Sequence, residues 1–249
     1  MDIEVNNQRL ESYLREVDFE AMSAVEILRW AYRIFGVRIV VETSLQNTGV
    51  IVIHLAAVEE LDMRIALIDT LRLPPESYEF IQTVQQRYGR TIELVRPDPE
   101  HIEKMIGRFG EFLFFDSKNL QEYCCQVRKT RPHQRLLKTV DCYISGLRRD
   151  HSQFRQDTPK ASLVGEEGSR RKILQLNPLA DWTEEQVQAF AAEHGVPQHP
   201  LYAQGYQSIG CAICSTPTLP GEDKRAGRWR WFNDNPVLAD DKKECGLHL

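Results

Sequence analysis

Three short apolar, β-branched runs, each ending at a polar or proline-containing turn, limit most sharply what this chain can become. The first, Val37-Arg38-Ile39-Val40-Val41, gives way to a turn from Glu42 to Gly49 and then to the apolar run Val50 to Ala56. The second, Arg64-Ile65-Ala66-Leu67-Ile68, ends in Asp69-Thr70, after which Pro74-Pro75 opens a helical pattern stopped by Gly89. The third, Thr91-Ile92-Glu93-Leu94-Val95, ends before Pro97. Runs this apolar suit buried strands, and a strand–helix–strand rhythm implies parallel pairing. The expected class is α/β: a parallel-rich central sheet flanked by helices, with ligands at the carboxyl ends of its strands.

The remaining segments extend this plan. Residues 1–35 carry two amphipathic stripes, Leu10, Tyr13, Leu14 and Val17, then Ala24, Ile27, Leu28, Ala31 and Ile34, and read as N-terminal helices preceding a main domain over 36–249. A polar helix is expected after Pro99, helical spacing continues through Leu136, Leu137 and Val140, and Cys142 to Gly146 reads as another strand. Residues 155–172 lack periodicity and are expected to be a mobile loop. Ile173 to Leu176 reads as a short strand, and a Thr183/Gln186 capping box starts a helix that Gly195 stops. The turn at 42–49 aims backbone N–H groups at a helix start, a ready phosphate site. It lacks both the Walker pattern and GxGxxG, so on these residues alone an ordinary turn capped by Ser44 or Thr48 is the preferred reading.

A net charge of −5 argues against broad nucleic-acid binding and confines any anion site to a local cluster of Arg and Lys. No apolar run approaches the ~18 residues of a membrane span, and the start Met1-Asp2-Ile3-Glu4-Val5 has no export pattern, so a cytoplasmic protein is expected. In that reducing compartment six cysteines point to metal binding or chemistry more than to structural disulfides. Cys211-x-x-Cys214 suits zinc, an iron–sulfur cluster or a redox dithiol. Cys124-Cys125 supplies two more thiols, and their contiguity fits zinc knuckles poorly and a cubane cluster better. Core burial of both is the alternative. Cys142 lies in an apolar run and reads as structural. Cys245 sits between Lys242-Lys243 and His248, where cations favour the nucleophilic thiolate. Arg225 and Arg228, three apart, present guanidinium forks suited to phosphate or sulfate, or else a solvated turn.

Taken together, Cys124-Cys125 with Cys211-x-x-Cys214, Gly146-Leu147-Arg148-Arg149-Asp150, Asn177 to Trp182, Gly221 to Trp229 and the tail Lys243-Glu244-Cys245-Gly246-Leu247-His248 resemble the assimilatory adenylyl-sulfate reductases. The likeness spans roughly residues 35 to 249. It implies an adenine nucleotide α-hydrolase-like fold with a cysteine-bearing C-terminal tail (235–249), and reduction of adenosine 5′-phosphosulfate to sulfite and AMP in sulfate assimilation toward cysteine. By the same resemblance Cys124, Cys125, Cys211 and Cys214 would bind a [4Fe-4S] cluster. Cys245 would be the catalytic nucleophile, forming an S-sulfocysteine released by thioredoxin. Ser44, Gln46, Lys129, Arg148, Arg149, Arg225, Arg228 and His248 would contact the substrate. Asn47, Leu71 and Ser215-Thr216 depart from the family pattern, which more often has an acidic residue, a glycine and Thr-Arg there.

Other readings compete with this one. A reductase of the 3′-phosphorylated nucleotide, or of both, differs only in substrate preference. An ATP-dependent tRNA-thiolating enzyme would need an SGGxDS loop, absent here, and has no use for the Cys-Gly-Leu-His tail. A non-catalytic iron–sulfur redox sensor would not need Cys245. Neither a nucleic-acid nor a membrane partner is expected, and a homo-oligomer is compatible with the sequence.

Overall fold

The computed structural model describes residues 3–152, 155–165 and 169–233. The chain opens with α1 (Ile3–Glu16) and α2 (Ala24–Phe35), the latter begun by a reciprocal capping box between Ser23 and Glu26. Then come β1 (Ile39–Thr43), α3 (Asn47–Val58), β2 (Arg64–Ile68), α4 (Pro75–Tyr88) and β3 (Ile92–Val95). Helix α5 (Pro99–Phe109) is capped by Asp98 with proline at its first position, and α6 (Lys118–Cys125) by Ser117. A π-turn (Gln126–Thr130) joins α6 to α7 (Arg131–Leu137). There follow β4 (Cys142–Ile144), β5 (Ala161–Val164), β6 (Ile173–Leu176), α8 (Glu184–Glu193) and the short α9 (Arg230–Asn233).

Among the described residues six strands form one sheet in the order β3-β2-β1-β4-β6-β5. β1 pairs in parallel with β2 and β4, and β4 with β6, so the expected parallel-rich sheet is present. Its central strands β1, β4 and β6 are covered on both faces: Ile39, Val40, Val41, Cys142, Ile144, Leu174 and Leu176 are at most 1% exposed. Three boundaries differ from expectation. A 3-10 turn at Gly36–Arg38 delays β1, which runs on through Glu42 and Thr43, and α3 begins at Asn47, inside the expected turn. The expected loop over 155–172 instead contains β5, antiparallel to β6 with Ser162 opposite Gln175. β5 is half-buried throughout, so no hydrophobic run announces it.

The chain divides into two compact units, Met1–Leu67 with Thr83–Glu93 and Leu136–Gln198, and Ile68–Gln82 with Leu94–Arg135 and His199–Leu249. The first unit is built on most of the sheet with α1, α2, α3 and α8. The second has two small apolar groups. Met105, Leu113, Phe114, Cys124 and Val127 make one; Cys214, Trp229 and Phe232 make the other.

Candidate functional site

In the first unit, the β1–α3 turn is shaped by its own polar side chains. Leu45 takes a left-handed φ of +54°, and its N–H donates to Thr43 Oγ1 at 2.9 Å. Gln46 caps α3 through its extended backbone, and its Nε2 donates to Ser44 Oγ at 3.0 Å. No acidic residue occupies the first turn of α3, so no carboxylate of that turn offsets the positive end of its dipole. Gly146, just beyond β4, approaches this helix start so closely that a Cβ there would lie 2.8 Å from Thr48 Oγ1 and 2.9 Å from Gly49 N.

The two arginines after β4 are bonded within the protein. Arg148 has a side chain only 2% exposed, donating to Glu184 Oε2 at 2.6 Å, the Trp182 carbonyl at 2.9 Å and Asp150 Oδ2 at 3.3 Å. Arg149 donates to Glu20 Oε2 at 2.7 Å and to the Thr158 carbonyl at 2.9 Å.

In the second unit the structure gathers four of the cysteines named by the sequence. Cys124 is buried near the end of α6, packed in the group that Ile213 and Trp231 also contact, while Cys125 and Cys211 pack beside Cys214, Trp229 and Trp231. The Cys211–Cys214 segment is a tight turn closed by Cys214 N–H donating to the Cys211 carbonyl at 3.0 Å. Trp229 N–H and Arg228 Nε both donate to the Cys214 carbonyl, each at 3.2 Å. Gln121 Nε2 donates to Cys125 Sγ at 3.1 Å. No three His, Cys, Asp or Glu side chains among the described residues converge on one metal-ion position.

Three residues that the sequence did not single out stand at this centre. Thr70 Oγ1 lies 3.2 Å from Cys211 Sγ, and the Thr70 carbonyl accepts from Arg128 Nη1 at 3.1 Å. The Arg72 carbonyl accepts from Ala212 N–H at 2.8 Å. The turn carrying Thr70 and Arg72 is tied down by Asp69, wholly buried, which accepts from Leu71 N–H at 2.9 Å, Tyr78 Oη at 2.8 Å and Arg96 Nε at 3.0 Å. A polar pair after a strand gives no signal in the sequence beyond an ordinary turn. Only the topology shows that this turn meets the cysteines.

Burial raises the Cys124 thiol, with Arg128 and Arg72 pulling the other way. Burial also pushes Cys214 up to about 12, and the neighbouring Cys211 thiol adds to the rise. Both shifts favour protonated thiols over thiolates. Three buried donors around them, Arg72 Nη1, Arg128 Nε and Trp229 Nε1, have no hydrogen-bond partner among the described residues.

The cationic candidates are distributed unevenly. Lys129 is half-buried in the π-turn next to Arg128. Arg225 and Arg228 lie on a turn, not a helix, closed by Arg228 N–H donating to the Arg225 carbonyl at 2.9 Å. Arg228 is 8% exposed with its guanidinium 4.8 Å over the Trp229 ring. Cys245 and His248 lie outside the described residues. Cys142 is buried in β4 and its thiol is raised well above the ordinary range by desolvation, the inert state expected of it.

A buried Ser77–His199 pair, with Oγ 2.9 Å from Nε2, is no hydrolytic dyad. His199 Nδ1 accepts from Leu201 N–H at 3.2 Å, so the neutral ring carries its proton on Nε2 and donates it to Ser77.

Over residues 38–217 the chain matches the phosphoadenosine phosphosulfate reductase domain. It is 40% identical over 226 residues to an adenosine 5′-phosphosulfate reductase from Allochromatium vinosum, covering 91% of this chain and 84% of that protein. It is 36% identical over 214 residues to the enzyme of the same name from Agrobacterium fabrum, covering 86% and 78%. In three dimensions it is similar to a phosphoadenylyl-sulfate reductase from Candida auris solved with phosphate, with a TM-score of 0.66 and 26% identity over 87% of this chain and 98% of that one. The fold is adenine nucleotide α-hydrolase-like.

Proposed function

The chain belongs to the phosphoadenosine phosphosulfate reductase family, and from that membership we propose that it reduces adenosine 5′-phosphosulfate to sulfite and AMP in sulfate assimilation. The relatives at 36–40% identity that carry the 5′-phosphosulfate name favour this nucleotide over its 3′-phosphorylated form. Cys245 is the nucleophile: its thiolate forms a bond to the substrate sulfur, the bond from that sulfur to the phosphate oxygen breaks, and AMP leaves as the phosphate anion. Lys129, Arg225, Arg228 and His248 offset that departing charge, and Ser44 and Gln46 hold the nucleotide. Arg148 and Arg149 would add to that positive charge, while their bonds to Glu184, Asp150 and Glu20 tie down the loop that follows β4. An external dithiol such as thioredoxin attacks Cys245 Sγ, expels sulfite and closes its own disulfide, supplying the two electrons.

Cys124, Cys125, Cys211 and Cys214 would hold a [4Fe-4S] cluster. Their grouping within one unit is the single observation that carries this part of the reading. A cubane spreads its thiolates over separate irons, so ligands need not converge on one point as around a lone ion. The unpartnered donors of Arg72, Arg128 and Trp229 suit a group rich in accepting sulfurs and carrying net negative charge. Once bound, the cluster would supply an electrostatic field.

The test is to incubate anaerobically purified protein with each nucleotide and no reductant, then weigh the carboxyl-terminal peptide. The expected result is a gain of one sulfite group on Cys245 with release of AMP from the 5′-phosphosulfate, and none in Cys245→Ser. An unmodified peptide with intact nucleotide rejects the mechanism, and faster modification by the 3′-phosphorylated nucleotide reverses the substrate assignment.

A further inference from the structure

Arg72 is a largely shielded cation whose ion-pair partner, Glu111, is itself half exposed. Its side chain is 9% exposed. One nitrogen, Nη2, donates to the Glu111 carbonyl at 2.7 Å and to Glu111 Oε1 at 2.5 Å. The guanidinium carbon sits 4.9 Å over the Phe114 ring. The other terminal nitrogen, Nη1, is shielded from solvent and has no hydrogen-bond partner among the described residues.

The magnitudes do not balance. The Glu111 carboxylate is 53% exposed, and such an ion pair is worth about 0–1 kcal/mol. A cation–π contact adds roughly 0.5–2 kcal/mol. Taking a guanidinium out of water costs several kcal/mol, and an unmet buried donor costs about 1–3 kcal/mol more. A further, negatively charged hydrogen-bond acceptor is therefore called for, and the position of Arg72 indicates where. Its carbonyl anchors Ala212, inside the Cys211–Cys214 turn, and Phe114 beneath the guanidinium belongs to the same apolar group as Cys124.

We propose that Arg72 is a positioning residue of the cysteine centre, whose Nη1 donates a hydrogen bond to a sulfur of the iron–sulfur group held there and offsets its charge. This rests on the cluster reading above and extends it to a residue outside the ligand set. The hydrogen bond draws electron density from the sulfur, weakens iron–sulfur covalency and stabilises the bound group against loss. Lysine at this position would keep the charge but lose the fork that reaches Glu111 and the sulfur together.

The experiment compares reconstituted wild-type protein with Arg72→Met, Arg72→Lys and Glu111→Gln. Three quantities are read: iron per chain, the rate of iron release to a chelator, and the iron–sulfur pre-edge intensity in sulfur K-edge absorption, which rises when a hydrogen bond to sulfur is lost. Arg72→Met is expected to release iron roughly 10–100-fold faster with a stronger pre-edge. Arg72→Lys should fall between Met and wild type, and Glu111→Gln should keep the wild-type spectrum. If Arg72→Met fails to fold, the pre-edge of Arg72→Lys decides. Variants that lose iron faster with an unchanged pre-edge, or that match wild type in both, overturn the role of Arg72 alone. Wild-type protein that takes up no iron overturns the cluster and this role with it.

Discussion

At a φ of +60°, Leu71 occupies the left-handed region, where a β-carbon costs roughly 1–2 kcal/mol. Asp69 Oδ1 holds its N–H there, and the side chain is 47% exposed, so packing returns little of that cost. The strain is tolerated because the turn must place Thr70 against Cys211 and the Arg72 carbonyl against Ala212. Leu71→Gly is therefore expected to stabilise the protein by about 0.5–1 kcal/mol after glycine's greater unfolded-state entropy is subtracted. In a chain of this size the thermal midpoint should rise by about 1–4 °C, measured by calorimetry at one fixed iron content. A lower midpoint would mean that the leucine side chain is held by contacts outweighing its backbone strain. The departure from glycine at this position was visible in the sequence, but its cost was not, because φ is a property of the turn and not of the residue. The same limit hid Arg72: a lone arginine after a polar pair carries no sign of burial. The four cysteines were legible as a group because they stand in two close pairs, and the structure gathers them in one unit.

Elements were legible where a cap or an apolar run announces them. The Thr183/Gln186 box forms as expected, with Thr183 Oγ1 accepting from Gln186 N–H and Gln186 Oε1 accepting from Thr183 N–H. The strand β5 was not legible, since a half-buried edge strand pairing on one side needs no hydrophobic alternation. Nor was the π-turn after α6, whose extra residue sets the phase at which Arg128 and Lys129 leave the helix behind Cys125. The approach of β4 to α3 constrains the β1–α3 turn, because Gly146 leaves no room for a β-carbon. Gly146→Ala must push the start of α3 away and is expected to destabilise the protein by about 1–3 kcal/mol, read as a lower urea midpoint. If the β1–α3 turn is the nucleotide site, calorimetry should also show weaker AMP binding. Lost stability with unchanged AMP affinity would remove Ser44 and Gln46 from that role.

The sheet was legible as a whole because strands covered on both faces are apolar end to end, whereas the division of the molecule was not, because each unit is assembled from three separate stretches of chain. The two units differ in what holds them. In the first, strands and helices bury long contiguous runs, such as Val50 to Ile53 at no more than 1% exposure. In the second, the cysteines lie in two small apolar groups, and burial raises the thiols of Cys124 and Cys214. If the proposed cluster is bound, a metal site in so small a core would contribute to folding outright, because its ligands cannot be prearranged in the unfolded chain. Removal of iron by a chelator should then raise amide exchange in α6, the π-turn and residues 211–233 while leaving β1, α3 and β4 as protected as before. The comparison is made by hydrogen exchange on the same preparation before and after chelation. Equal loosening of both units would show that the cysteine centre stabilises the molecule globally, and no loosening in either would show that the four thiols hold their places without iron.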